Sequence, residues 1–116
     1  MIRKLLLLLM LGALASCQGA LPLMHLPDGK APLNEIFSFE IELVSGPAER
    51  VSVDADMPSH GHGMITEPVV TKIDAKHYQV AGMMLHMPGY WEIYIDVTRD
   101  GESESFMLPL TLEAWE

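Results

Sequence analysis

The chain has 116 residues, with seven Lys and Arg against 16 Asp and Glu and a formal net charge of −9 at pH 7. A chain this acidic repels phosphate instead of releasing counterions from it, which excludes nucleic acid as a partner. Its single cysteine excludes a disulfide framework and a multi-thiolate metal cluster, so stability must come from a hydrophobic core.

The first segment reads as a leader. Arg3 and Lys4 precede an apolar run from Leu5 to Leu14, and Leu14-Ala15-Ser16-Cys17 has the form of a lipobox. The run is too short to span a bilayer as a helix, which takes about 20 apolar residues. Residues 1–16 are therefore expected to be removed as a signal peptide. By resemblance to bacterial lipoproteins, Cys17 is expected to become the lipid-modified (palmitate-type) amino terminus that anchors the protein to a membrane. Cleavage leaves roughly 100 residues, the size of one domain. Five basic residues then face the same 16 acids. The surface favours cations, although acidity also serves solubility alone.

Residues 17–33 carry Pro22, Pro27 and Pro32 and no sustained period, so they read as an extended linker with at most one short edge strand near Leu23 to Leu26. Met24 and His25 read there as solvated linker residues. From residue 34 onward the pattern is that of strands. Phe37, Phe39, Ile41 and Leu43 alternate with Ser38, Glu40 and Glu42, and Ser45-Gly46-Pro47 is a turn. Val51, Val53, Ala55 and Met57 then alternate with Ser52, Asp54 and Asp56. After a His/Gly loop come a short β-branched strand, Val69 to Ile73, the turn Asp74-Ala75-Lys76, and a strand from His77 to His86 whose phase is left open by Gly82, a candidate bulge. Trp91, Ile93, Ile95 and Val97 face inward next. Arg99-Asp100-Gly101 is a hairpin turn, and Phe106, Leu108, Leu110 and Leu112 form the last inner face, with Pro109 placing that strand at an edge or a bulge. Six to seven short strands with turns every eight to twelve residues, and no helical period outside the leader, predict an all-β fold. The expected form is an immunoglobulin-like antiparallel β-sandwich over residues 34–116, with a small barrel as the alternative.

Two stretches carry chemistry. Met57-Pro58-Ser59-His60-Gly61-His62-Gly63-Met64 packs two imidazoles and two thioethers into eight residues, and Met83-Met84-Leu85-His86-Met87 repeats the vocabulary. Strand reversal in an antiparallel sandwich sends both to the same end of the domain. The other turns fall at the opposite end, where His77 reads as an exposed turn residue. His60, His62 and Met64 share one parity if the segment is extended, which aims them at one centre. Imidazole with thioether suits copper, the soft sulfur favouring the cuprous ion. Zinc is less suited, though His60, His62 and His86 could form a three-histidine site. The expected metal set is His60, His62, Met64, His86 and Met87. Against this stand two plainer readings: the methionines as core filler, and a Gly-His turn whose imidazoles bond to backbone. No nucleophile elbow or carboxylate pair is present, so no enzyme is expected.

Met57-Pro58-x-His60-x-His62-Gly63-Met64, Tyr78-x-Val80 and His86-Met87-Pro88-Gly89-x-Trp91-x-Ile93 together resemble the YtkA-like domain, related to the periplasmic part of FixH-type proteins, over about residues 34–112. The resemblance implies an exported, often lipoprotein-borne immunoglobulin-like domain. The FixH relatives imply copper delivery during haem-copper oxidase assembly, and copper at His60, His62, Met64 and His86 is what the likeness implies here. A lipid anchor replaces the membrane helix of the FixH type, which sets this chain apart from that role. The expected location is the cell envelope, facing the periplasm on the outer membrane, since Gln18 is no aspartate retention signal, or the outer face of a single membrane. The expected partners are that membrane and an envelope protein exchanging metal. The competing function is a metal-free adaptor using the same end as a protein interface.

Overall fold

A computed structural model describes residues 20–114. The proposed leader and Cys17 lie outside the described residues, and among those described no helix is long and apolar enough to cross a membrane. The described chain forms eight strands: β1 Leu23–His25, β2 Phe37–Glu42, β3 Arg50–Met57, β4 His62–Gly63, β5 Val69–Lys72, β6 His77–Met83, β7 Gly89–Arg99 and β8 Glu102–Leu112. They make two antiparallel four-stranded sheets, in the orders β1-β2-β6-β5 and β4-β3-β7-β8. Lettered in chain order these are A-B-E-D and C′-C-F-G, the immunoglobulin arrangement. The all-β sandwich expected from the alternation is thus the fold.

Each sheet turns one parity inward. Phe37, Phe39, Ile41 and Leu43 from the β2 side meet Val51, Val53, Ala55 and Met57 of β3 and Trp91, Ile93, Ile95 and Val97 of β7, all buried. Fully burying each of the larger aliphatic side chains contributes about 1.5–3 kcal/mol. No polar or charged residue among those described is buried in this core. The tyrosine hydroxyl at its margin is satisfied: Tyr78 Oη donates to the Ala48 carbonyl and accepts from the Ala48 N–H, both at 3.2 Å.

Three local details depart from or refine the sequence reading. The sixth strand ends at Met83, three residues short of the expected His86, because the chain breaks away into the Met84–Pro88 loop. Gly82 lies in a bulge: Phe37 pairs with Met83 but Phe39 pairs with Val80, so β6 holds one extra residue, and Gly82 takes up the strain with φ +82°. The segment read as a linker contributes β1, which pairs Leu23 with Glu42 and His25 with Glu40. Met24 of β1 packs against the core, and beyond β1 Ala31 is buried and Leu26 and Leu33 pack against it too.

Three of the four sheet edges are short. Strands β1, β4 and β5 have three, two and four residues, which leaves little unpaired backbone for another chain to add to. Strand β8 is an edge strand, as Pro109 requires, with Pro109 in register with Glu92.

Candidate metal-binding end

Strand β3 ends at Met57, β4 begins at His62, and β6 ends at Met83, so both Met/His stretches emerge at one end of the sandwich. The structure brings their imidazoles together. The ring centres of His60 and His62 are 5.7 Å apart and those of His62 and His86 are 5.1 Å apart, tilted by 33° and 32°. Two imidazoles bound to one ion at about 2 Å each would hold their ring centres on the order of 5 Å apart, so these spacings fit a shared ligand.

The mechanism of convergence differs from the extended parity read in the sequence. The Met57 carbonyl accepts the N–H of both His60 and Gly61 at 3.0 Å, closing a tight turn. Gly61 sits at φ +67°, a left-handed conformation that costs other residues about 1–2 kcal/mol. This turn folds β4 back on β3, with Met57 opposite His62, and leaves the His60 and His62 rings 5.7 Å apart.

Two of the imidazoles differ in what holds them. His62 Nδ1 lies 3.2 Å from the Gly63 carbonyl, which can only accept, so Nδ1 carries the proton and Nε2 is left bare. A backbone carbonyl on one imidazole nitrogen is how metal-ligating histidines are usually oriented. The same contact is the backbone bond of the plainer Gly-His reading, and it serves either. His86 is different: its Nδ1 is buried without a hydrogen-bond partner, a state shared among the described residues only by Thr66 Oγ1. An unsatisfied buried polar atom costs about 1–3 kcal/mol, so this nitrogen stands in a position that a ligand would relieve.

Trp91 forms the floor. It is fully buried, its Nε1–H donates to the Met87 carbonyl at 2.9 Å, and its ring meets His62 and His86 edge-on, at 6.2 and 5.7 Å. Sequence parity identified the core residue but not the contact with the histidines, because that contact depends on the loop after β6 folding across the start of β7. Of the thioethers, Met57 and Met83 are buried core residues. Met64 and Met87 are half-buried against the core beside His62 and His86 in the chain. Among the described residues no group of three or more His, Cys, Asp or Glu stands in position to hold a metal ion. The histidine row would therefore need a ring rotation or a thioether ligand to complete the coordination of an ion.

The far end holds the remaining histidines. His77, read as an exposed turn residue, is instead the first residue of β6 and half-buried, with Nδ1 2.8 Å from Asp74 Oδ1. Asp74 also accepts the N–H of Lys76 and of His77, both at 2.9 Å. The Lys76 N–H, then the His77 ring, hold the Asp74 carboxyl below its usual range, and Asp74 in turn raises His77. His25, read as a solvated linker residue, bonds through Nε2 to Glu42 Oε1 at 3.1 Å. On the outer face of the second sheet, Tyr94 Oη donates to Glu92 at 2.6 Å, and that bond pushes the phenol up to about 12. Compared with protein-family models, curated proteins and solved structures, the chain matches none.

Proposed function

We propose that this is a cell-envelope protein, lipid-anchored through Cys17, that binds copper as the cuprous ion at its Met/His end, for sequestration or for handover to an envelope partner. The observation that carries the reading is the row His60–His62–His86 with the His86 Nδ1 buried and unpartnered at its inner end. His60, His62 and His86 would supply imidazole, and Met64 and Met87 thioether, the donor mixture that suits a soft monovalent ion. Neither donor type must lose a thiol proton, and neither forms the disulfides that an oxidising compartment promotes. The Trp91 indole beneath the row keeps its inner side dry, and its bond to the Met87 carbonyl holds the His86–Met87 loop in place.

A second reading has its own support. Ile36, Ile65 and Val69 are 70%, 72% and 65% exposed, and all three lie at the Met/His end by their position in the chain. Exposed apolar side chains around a site suit a protein interface, which serves a metal-free adaptor as well as a handover partner.

Competition against a cuprous chelator, with the full chain in detergent, separates the two. Wild type is expected to retain the ion and the His60→Ala/His62→Ala variant to lose it, with a metal-free melting curve nearly unchanged. His77→Ala, at the far end, is expected to leave cuprous binding intact. A wild type that binds no cuprous ion, or a double variant that binds it equally well, leaves the adaptor reading.

A further inference from the structure

A second constellation lies at the other end of the molecule, on the outer face of the first sheet. Strand pairing sets Glu42 of β2 directly opposite His77 of β6, while His25 of β1 lies opposite Glu40, one step along the same face. Both imidazoles aim Nε2 at the same oxygen: His25 Nε2 is 3.1 Å and His77 Nε2 3.7 Å from Glu42 Oε1.

The proton count around this oxygen is the informative part. Asp74 Oδ1 is a carboxylate held by two backbone N–H groups, so the 2.8 Å contact to His77 requires the proton on Nδ1. In the neutral ring Nε2 is then a bare lone pair facing the Glu42 carboxylate. Two acceptors at 3.7 Å repel; a proton on Nε2, which makes the ring an imidazolium, or a metal ion in that proton's place reverses the sign. The Asp74–His77 bond is also the carboxylate–histidine arrangement that orients and strengthens a metal-ligating imidazole.

We propose that His25, Glu42 and His77 form a binding site for a divalent ion of borderline softness, of the zinc class, with Asp74 as the positioning residue behind His77. Two imidazoles and a carboxylate are a ligand set for such an ion. Ligand atoms about 2.0–2.2 Å from a tetrahedral ion lie roughly 3.3–3.6 Å from one another, close to the 3.1 and 3.7 Å found here. The side chains as they stand do not yet enclose an ion. His25 has a side chain 52% exposed, so it can turn, and the ion takes the place of the Nε2 proton that His25 donates to Glu42. The donors come from three different strands, so the bound ion would staple the three-residue edge strand β1 to the body of its sheet. This site holds no thioether and is chemically distinct from the Met/His end.

The test uses zinc and the full chain in detergent micelles, carrying His60→Ala and His62→Ala so that only His25, His77 and His86 remain. Ring-nitrogen resonances are followed during the titration. Those of His25 and His77 are expected to move together with one midpoint while His86 stays unchanged. Asp74→Asn and the near-isosteric Glu42→Gln should each weaken zinc by at least about tenfold. Both positions are on the surface, so a circular dichroism melt will confirm that these variants fold. The proposal is overturned if the two histidines do not respond at millimolar zinc. It is equally overturned if they respond with separate midpoints, if His86 alone responds, or if Glu42→Gln binds as tightly as its parent.

Discussion

Trp91 joins the core to the histidine row, and substitutions there separate the two roles. Trp91→Ala is expected to cost about 3–5 kcal/mol in a denaturant melt, the range for truncating a buried large aromatic ring. A loss under about 1 kcal/mol would place the ring outside the core. Trp91→Phe retains most of the packing but leaves the Met87 carbonyl without its 2.9 Å donor, and about 1–3 kcal/mol is expected for that loss. A second residue-scale prediction concerns pH. Asp74 is lowered from 3.8 and His77 raised from 6.5, each chiefly by hydrogen bonds that include the one between them. The Asp74 contribution is present above pH 3.8 and is lost as pH falls through its lowered folded value. The His77 contribution is complete below pH 6.5 and is lost as pH rises through its raised folded value. Comparing melts of the chelator-treated protein and its Asp74→Asn variant should therefore show the largest difference between these two limits. An equal difference at all pH values would mean that the pair is not formed. The Asp74 side chain is 58% exposed and that of His77 34%, so the effect will be small and screened by salt.

At the scale of elements, the β3–β4 turn is what makes the site, and Gly61 is its hinge. Nothing lies within 4 Å of a Cβ built on Gly61, so Gly61→Ala tests backbone conformation without a clash. About 1–2 kcal/mol of destabilisation is expected from the left-handed φ alone, and cuprous affinity should fall as the turn opens and His60 leaves His62. Melts and chelator competition on one variant measure both; unchanged affinity would show that the turn does not set the row. The strands themselves were legible in the sequence because period-two alternation is a direct consequence of one-sided burial. The inward sets of β2, β3 and β7 come out residue for residue, as do the Gly82 bulge and the edge placement of β8. The clustering of His60, His62 and His86 was legible as a shared end, since antiparallel reversal needs no distances. Three things were not legible. The His60-Gly61-His62 conformation depends on a positive φ that glycine permits but does not announce. The histidine contacts of Trp91 depend on the path of a loop. The His25–Glu42–His77 cluster depends on the pairing of β1 with β2, and a three-residue strand among prolines carries too short a pattern to declare its partner.

The two ends of the whole molecule differ in what they offer and, if Cys17 anchors the chain, in how they face the membrane. Strand β7 runs from Gly89 beside the histidine row to Arg99 at the far end, a length of roughly 35 Å at about 3.3 Å per residue. At that far end the Arg99 guanidinium clamps the Ser45–Pro47 turn through the Pro47 and Gly46 carbonyls and Ser45 Oγ, at 2.9–3.0 Å. Strand β1 enters the first sheet there too, because its first residue, Leu23, lies opposite Glu42 at the end of β2. If Cys17 carries lipid, about six residues join it to Leu23, a reach of at most roughly 20 Å. The far end would then sit next to the bilayer and the Met/His end would point away from it, open to a soluble or membrane-borne partner. Two consequences can be measured. Cys17→Ser should release the protein from the membrane fraction, and retention after a salt wash would show a different anchor. In the lipidated protein, fluorophores attached through Ser59→Cys at the Met/His end and through Asp100→Cys at the far end should respond differently to lipid-headgroup quenchers. The label at position 100 is expected to be quenched and the label at position 59 to be spared, because they are separated by more than the range of contact quenching. Equal quenching at both positions would mean that the sandwich lies flat on the membrane, and preferential quenching at position 59 would mean that the Met/His end faces the lipid.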